Sequence, residues 1–115
     1  MEKEFVPYAE SLELKALGFD EDCFGFYERN KELVIQKCEV TDFHFGSLEC
    51  LAPTFSQSFK FFREKYGLDN AILKDRFVIE TEEDLPNWYY GFKSYEEAEL
   101  ACLRKLIEIV KSNKS

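Results

Sequence analysis

The chain has 115 residues, 45% of them apolar and 17% aromatic, with a formal net charge of −8. That content excludes wholesale disorder and suffices for one domain, residues 1–115, whose core needs no covalent or metal staple. The 23 acidic against 15 basic residues oppose adsorption to anionic membranes and non-specific nucleic-acid binding, which needs cations to displace phosphate counterions, and no apolar run approaches the ~20 residues of a membrane span.

The opening, MEKEFVPYAE, shows no basic stretch followed by an apolar one. The expectation is a cytoplasmic protein without an export signal, its four cysteines reduced. Behind Pro7, residues Tyr8 to Leu17 read as a helix. Gly18 ends it in the left-handed conformation, with Phe19 packing back on the last turn. Cys23–Arg29 and Glu32–Glu39 then read as a hairpin across Asn30-Lys31. A two-residue turn sets Arg29 opposite Glu32, Phe26 opposite Ile35, Tyr27 opposite Val34 and Cys23 opposite Cys38. Val40–Leu51 is irregular by pattern and holds the only histidine, His44, between Phe43 and Phe45, as a short strand or an aromatic plug.

A second helix covers Pro53 to Tyr66, with Phe55, Phe59, Phe62 and Tyr66 on one face. Its start is either Pro53 as first helical residue or a Thr54–Gln57 capping box. Lys60, Arg63 and Lys65 suit the negative end of its dipole. Gly67-Leu68-Asp69 repeats the Gly18-Phe19-Asp20 ending. Ala71–Glu80 reads as one strand, bent near Lys74–Arg76. Thr81–Asn87 is a turn, and Trp88–Lys93 is a strand in which Gly91 marks a bulge or a close backbone approach.

The last helix, Ser94–Lys111, opens on a Ser94–Glu97 capping box and carries its acids early and its cations late. Tyr95, Ala98, Cys102, Leu106 and Ile109 form one apolar row; Leu100, Leu103 and Ile107 form a second. A helix apolar over about half its surface needs cover on two sides. The second row therefore meets either another element of the same domain or a partner. The order helix–hairpin–helix–hairpin–helix, with no βαβ rhythm, gives an α+β fold with a mainly antiparallel sheet packed against helices.

Three stretches, FVPYAESLELKALGFDEDCFGFY, APTFSQSFKFFREKYGL and SYEEAELACLRKLIEIVK, together resemble a family of short uncharacterised phage and prophage proteins of gut Bacteroidota. The Pro-Tyr opening, the Leu-Gly-Phe-Asp helix end, the Phe-Arg-Glu-Lys-Tyr helix and the Tyr-Glu-Glu-Ala-Glu run carry the likeness. The resemblance implies work inside an infected or lysogenic bacterium and brings no catalytic residue with it.

Cys23, Cys38, His44 and Cys50 are zinc-ligand types without finger or knuckle spacing, and no CxxC occurs. The opposed Cys23–Cys38 pair is disfavoured as a disulfide by the wide α-carbon separation of a hydrogen-bonded pair. A cysteine with His44, oriented by Asp42, is a conceivable thiolate pair. No nucleophile elbow, P-loop, H-E-x-x-H or dinucleotide fingerprint is present, and Glu82, Glu83 and Asp84 read as a solvated turn. No catalytic residue, metal or cofactor is assigned.

The sequence favours a non-enzymatic interaction module that binds an unknown protein partner or itself, with Leu100, Leu103 and Ile107 as the partner-binding row. The alternative is a nucleic-acid-binding module using the Phe59–Lys65 helix, with Lys60, Phe61, Arg63 and Lys65, or the strand Trp88, Tyr89 and Tyr90. The third class is a small enzyme around Cys23, Cys38 or His44.

Overall fold

A computed structural model describes residues 4–38, 48–81 and 86–114. The elements run α1 (Tyr8–Ala16), β1 (Cys23–Glu28), β2 (Leu33–Cys38), β3 (Leu48–Leu51), α2 (Phe55–Tyr66), β4 (Asp69–Ile72), β5 (Arg76–Glu80), β6 (Asn87–Tyr90) and α3 (Tyr95–Lys114). The fold is α+β. Each expected hairpin is part of a three-stranded antiparallel sheet, ordered β2-β1-β3 in one case and β4-β5-β6 in the other. The chain divides into two compact units, Met1–Ser58 and Phe59–Ser115.

In the first unit, Pro7 occupies the N-cap of α1. The helix ends as expected. Gly18 sits at φ 96, its N–H donates to the Lys15 carbonyl, and the Phe19 N–H donates to the Leu14 carbonyl at 2.9 Å. This is the Schellman arrangement, which satisfies the last carbonyls of the helix.

The β1–β2 hairpin departs from expectation by one residue. Its loop is Arg29-Asn30-Lys31, not a two-residue turn. The Lys31 N–H donates to the Glu28 carbonyl at 2.8 Å, the Glu28 N–H to the Glu32 carbonyl at 3.0 Å, and Lys31 takes φ 71. That is a turn followed by one left-handed residue, the usual three-residue solution. Asn30 Oδ1 accepts from the Glu32 N–H at 3.0 Å and holds the loop. The observed partners are therefore Gly25↔Ile35, Phe26↔Val34 and Tyr27↔Leu33, and an irregularity between Cys23 and Gly25 restores Cys23↔Cys38. A one-residue slip exchanges the faces of a strand. Here it turns Leu33, rather than Val34, onto the Tyr27 side, where Leu33 packs against Phe5, Tyr27, Cys50 and Ala52.

β3 lies inside the stretch that reads as irregular. It pairs with β1 through Phe26↔Leu51 and Tyr27↔Cys50. Phe5 bridges Thr54, and the Val6 N–H donates to the Pro53 carbonyl at 2.9 Å, so the N-terminal segment is tied to the residues leading into α2. Of the two starts open for α2, the capping box forms. Thr54 N–H donates to Gln57 Oε1 at 3.0 Å, and Gln57 N–H donates to Thr54 Oγ1 at 3.2 Å.

In the second unit, Gly67 follows α2 at φ 67, as its Gly-Leu-Asp ending predicts. The run Ala71–Glu80 is two strands, not one bent strand. β4 and β5 pair through Asp69↔Glu80, Asn70↔Ile79, Ala71↔Val78 and Ile72↔Phe77. Their turn is closed by the Leu73 N–H donating to the Arg76 carbonyl at 2.8 Å. β6 adds through Arg76↔Tyr90, Phe77↔Tyr89, Val78↔Trp88 and Ile79↔Asn87. Gly91 lies just beyond β6 at φ 96, and a Cβ there would meet nothing within 4 Å. Its role is the left-handed backbone, not a close approach.

Alternation along the strands separates two faces. Asn70, Ile72, Phe77, Ile79 and Tyr89 share one, and α3 packs there across β4 and β5. Asn70 Nδ2 reaches Cys102 Sγ at 3.7 Å, and Lys105 Nζ stands 5.7 Å from the Tyr89 ring centroid. The helix begins on Ser94, whose Oγ accepts from the Glu97 N–H at 3.2 Å. It buries Ala98, Cys102, Leu103, Leu106, Ile107 and Val110.

Candidate functional site

The opposite face of the second sheet holds Asp69, Ala71, Arg76, Val78, Glu80, Trp88 and Tyr90, with Leu73 continuing the β4 alternation into the turn. Apart from Val78 and the half-buried Arg76 these residues are exposed. Six large apolar side chains among the described residues are left exposed, and three of them, Leu73, Trp88 and Tyr90, are 48%, 43% and 63% exposed on this one face. Exposed apolar side chains gathered on one face mark an interaction surface more often than scattered ones do.

The patch is ordered internally. Trp88 and Tyr90, two apart on β6, point the same way. Their rings stack with centroids 6.4 Å apart and planes 27° from parallel. The Arg76 guanidinium lies 5.1 Å from the Tyr90 ring centroid, on the next strand and directly opposite. Asp75 holds that guanidinium at two points, Nε–Oδ1 at 2.9 Å and Nη2–Oδ2 at 3.4 Å. The hydrogen bond from Arg76 keeps the Asp75 carboxyl below its ordinary range, and the same contact raises Arg76. Both groups remain charged across the physiological range, and Tyr90 carries a fixed cation on one side.

Read along the strands, the face has three rows. Asp69 and Glu80 form an acidic row. Ala71, Val78 and Trp88 form an apolar row. Arg76 and Tyr90 form a cation–aromatic row beside the Leu73-Lys74-Asp75 turn.

The sequence points to Trp88 and its neighbours by residue type, and the structure brings Trp88 and Tyr90 together on the open face while turning Tyr89 against Phe77, with ring centroids 4.7 Å apart. It does not assemble the other candidates. Leu103 and Ile107 are buried at 0% and 6% exposure and Leu100 is half-buried. Phe61 is buried as well, edge-on to Phe62 and Tyr66 at 5.4 and 5.8 Å, and offers no platform for a base. The cations beside it are engaged locally. Lys60 pairs with Glu64 at 3.9 Å, Arg63 with Asp69 at 4.0 Å, and Lys65 stands over the Phe61 and Tyr66 rings.

Cys23, Cys50 and Cys102 are buried, and the Cys23 thiol donates to the Glu21 carbonyl at 3.3 Å. Burial pushes the Cys50 thiol up to about 11 and the Cys102 thiol up to about 12, the opposite direction from an activated nucleophile. His44, Asp42, Glu82, Glu83, Asp84 and the Cys38 thiol lie outside the described residues. Among the described residues no group of three or more His, Cys, Asp or Glu side chains is placed to hold a metal, and no helix is long and apolar enough to cross a membrane.

Arg76 and Asp75 are the site residues that the sequence conceals. They fall inside a run that reads as one strand, and only its division into β4 and β5 sets Arg76 opposite Tyr90. No protein-family model, no curated protein and no solved structure matches the chain.

Proposed function

We propose that the protein is a non-enzymatic binding module that docks a protein chain on the open face of the β4–β5–β6 sheet. The observation that carries this is the stacked Trp88–Tyr90 pair with Arg76 fixed over Tyr90 by Asp75. Trp, Tyr and Arg are the side chains in which binding energy concentrates at protein interfaces. Their mutual stacking holds them in place before contact, which lowers the ordering cost of association.

Single-stranded nucleic acid is the second reading, because the same aromatic and guanidinium groups stack bases. The net charge of −8 works against the phosphate backbone of such a ligand. The likeness to phage proteins of gut Bacteroidota makes a lysate of infected host cells the source of partners.

The test compares wild type with Trp88→Ala, in capture from that lysate and in sedimentation of the pure protein. Protein association that falls on alanine substitution, with melting unchanged, supports the reading. Equal association by both removes it. Salt-dependent binding of labelled single-stranded DNA that needs Trp88 replaces it with the second reading.

A further inference from the structure

The three rows of the open face are self-complementary. The acidic row, Asp69 and Glu80, stands at one end of the strands. The opposite end carries Arg76, already paired with the exposed Asp75, and the exposed Lys74 of the β4–β5 turn. Lys93 belongs to that end too, since the preceding Phe92 donates its N–H to the Asp75 carbonyl at 3.2 Å. Along β5, Arg76 and Glu80 are about 13 Å apart at the rise of an extended strand, with Val78 midway.

We propose that the occupant of this face is a second copy of the chain, packed sheet to sheet about a two-fold axis that runs across the strands at the Ala71–Val78–Trp88 row. This rests on the reading of the face as a protein-docking surface. The axis exchanges the two ends of the strands. It sets Glu80 of each copy against the partner's Arg76, and Asp69 against the partner's Leu73-Lys74 corner. Trp88 and Ala71, both exposed, meet their own equivalents on the axis, as an isologous contact requires. An axis along the strands would lay Glu80 on Glu80 and Arg76 on Arg76, so the charge pattern selects one of the two geometries.

Size sets the strength. Three strands about 5 Å apart and about 17 Å long give less than the ~800 Å² per partner of a standard stable interface. The association is therefore a concentration-dependent equilibrium. The charge of −8 on each copy repels at long range. At about 0.15 M salt, where the Debye length is about 8 Å, that repulsion is screened while pairs in contact are screened less.

The experiment is sedimentation equilibrium of the full chain in physiological salt, from micromolar to near-millimolar concentration, on wild type, Arg76→Glu, Glu80→Lys, their equimolar mixture, and the double variant. The wild-type mass should rise toward that of a dimer. Each single reversal places like charges in contact and should weaken association at least about tenfold. The mixture and the double variant should both recover it, because each restores an opposite pair at both ends. Lys74→Glu and Asp69→Lys form a second such set if Arg76→Glu fails to fold.

A wild type that stays monomeric throughout, single reversals that associate normally, or a mixture that fails to recover each overturn the dimer. A monomeric chain that still loses a captured protein on Trp88→Ala overturns only the second copy as occupant. Trp88→Ala without effect on any association overturns the docking face itself.

Discussion

The phenol of Tyr27, on the central strand of the first sheet, donates to the backbone carbonyl of Val6 at 2.7 Å. The Ser11 hydroxyl donates to the same oxygen at 3.1 Å. One carbonyl thus joins the N-terminal segment, α1 and β1, inside a site where Val6 and Ser11 are 0% and 1% exposed. Tyr27→Phe keeps the ring and its edge contact with Tyr8 at 5.5 Å and removes only the hydroxyl. It should cost about 0.5–1.5 kcal/mol by denaturant unfolding. Ser11→Ala should cost a similar amount. The double variant should cost more than the sum, since both partners of one buried acceptor are then gone. Strict additivity would show that the two bonds do not share a role.

Gly25 is required by contact rather than by backbone angle. A Cβ there would stand 2.9 Å from Phe5 Cε1 and 3.2 Å from the Val34 carbonyl oxygen. The backbone oxygen cannot yield as a side chain can. Gly25→Ala should destabilise by about 1–3 kcal/mol, the ordinary cost of overpacking. Phe5→Leu in the same chain should recover part of that loss, because it withdraws the nearer of the two atoms. No recovery in thermal melts would place the strain at Val34 instead.

Lys31 pays for its place in the β1–β2 loop with a left-handed backbone, φ 71, a conformation costing about 1–2 kcal/mol for a residue with a Cβ. Its ammonium stands 5.7 Å from the Tyr8 ring centroid, an attraction worth about 0.5–1 kcal/mol at an exposed site. The backbone effect is the larger. Lys31→Gly should raise stability by a few tenths to about 1 kcal/mol, read as a higher denaturant midpoint at unchanged slope. A lower midpoint would mean that the ring contact outweighs the strain.

The parts of the fold legible from residue order were those with local causes. Gly18 and Gly67 end helices, Thr54–Gln57 caps one, and Ser94 starts another. What escaped had no local marker. The Leu73-Lys74-Asp75 turn contains no Gly, Pro or Asn, so β4 and β5 read as one strand. β3 is four residues long, too short for alternation to declare itself. The hairpin register followed Lys31, a residue type that rarely takes the left-handed conformation. The same causes governed the candidate site. Trp88 and Tyr90 were visible as residue types on one strand, whereas Arg76 joined them only through pairing across the sheet. Leu103 and Ile107 stay open between cover by their own domain and cover by a partner, because a second apolar row on a helix does not say what buries it.

Cys50 and Cys102 make a prediction about alkaline pH. Burial is the largest cause of the upward displacement at both thiols. A thiol whose folded value lies above its ordinary value of 9.0 contributes stability that is present in full below that value. The contribution is lost as pH rises toward the folded values of about 11 and about 12. Melting temperature should therefore fall progressively above about pH 9. At neutral pH both should alkylate only as fast as the protein opens, so added denaturant should accelerate the reaction in step with unfolding. Fast native labelling of either would contradict the burial.

Asp75 and Arg76 supply the acid counterpart, and Trp88 reports on it as the only tryptophan in the chain. The hydrogen bond to Arg76 lowers the Asp75 carboxyl below its ordinary 3.8, so the pair is intact above that value and loosens as pH falls through the folded value. Freed from Asp75, the guanidinium no longer has a fixed position over Tyr90, and the Tyr90 ring stacks on Trp88. Tryptophan emission should stay level from neutral pH down to about pH 5 and change in the carboxylate range below it. Other carboxylates titrate there too, so the decisive comparison is Asp75→Asn. That variant should show altered emission already at neutral pH and a smaller change on acidification. An acid transition of unchanged size in Asp75→Asn would show that Arg76 keeps its place over Tyr90 without the carboxylate, and that strand pairing alone orders the face.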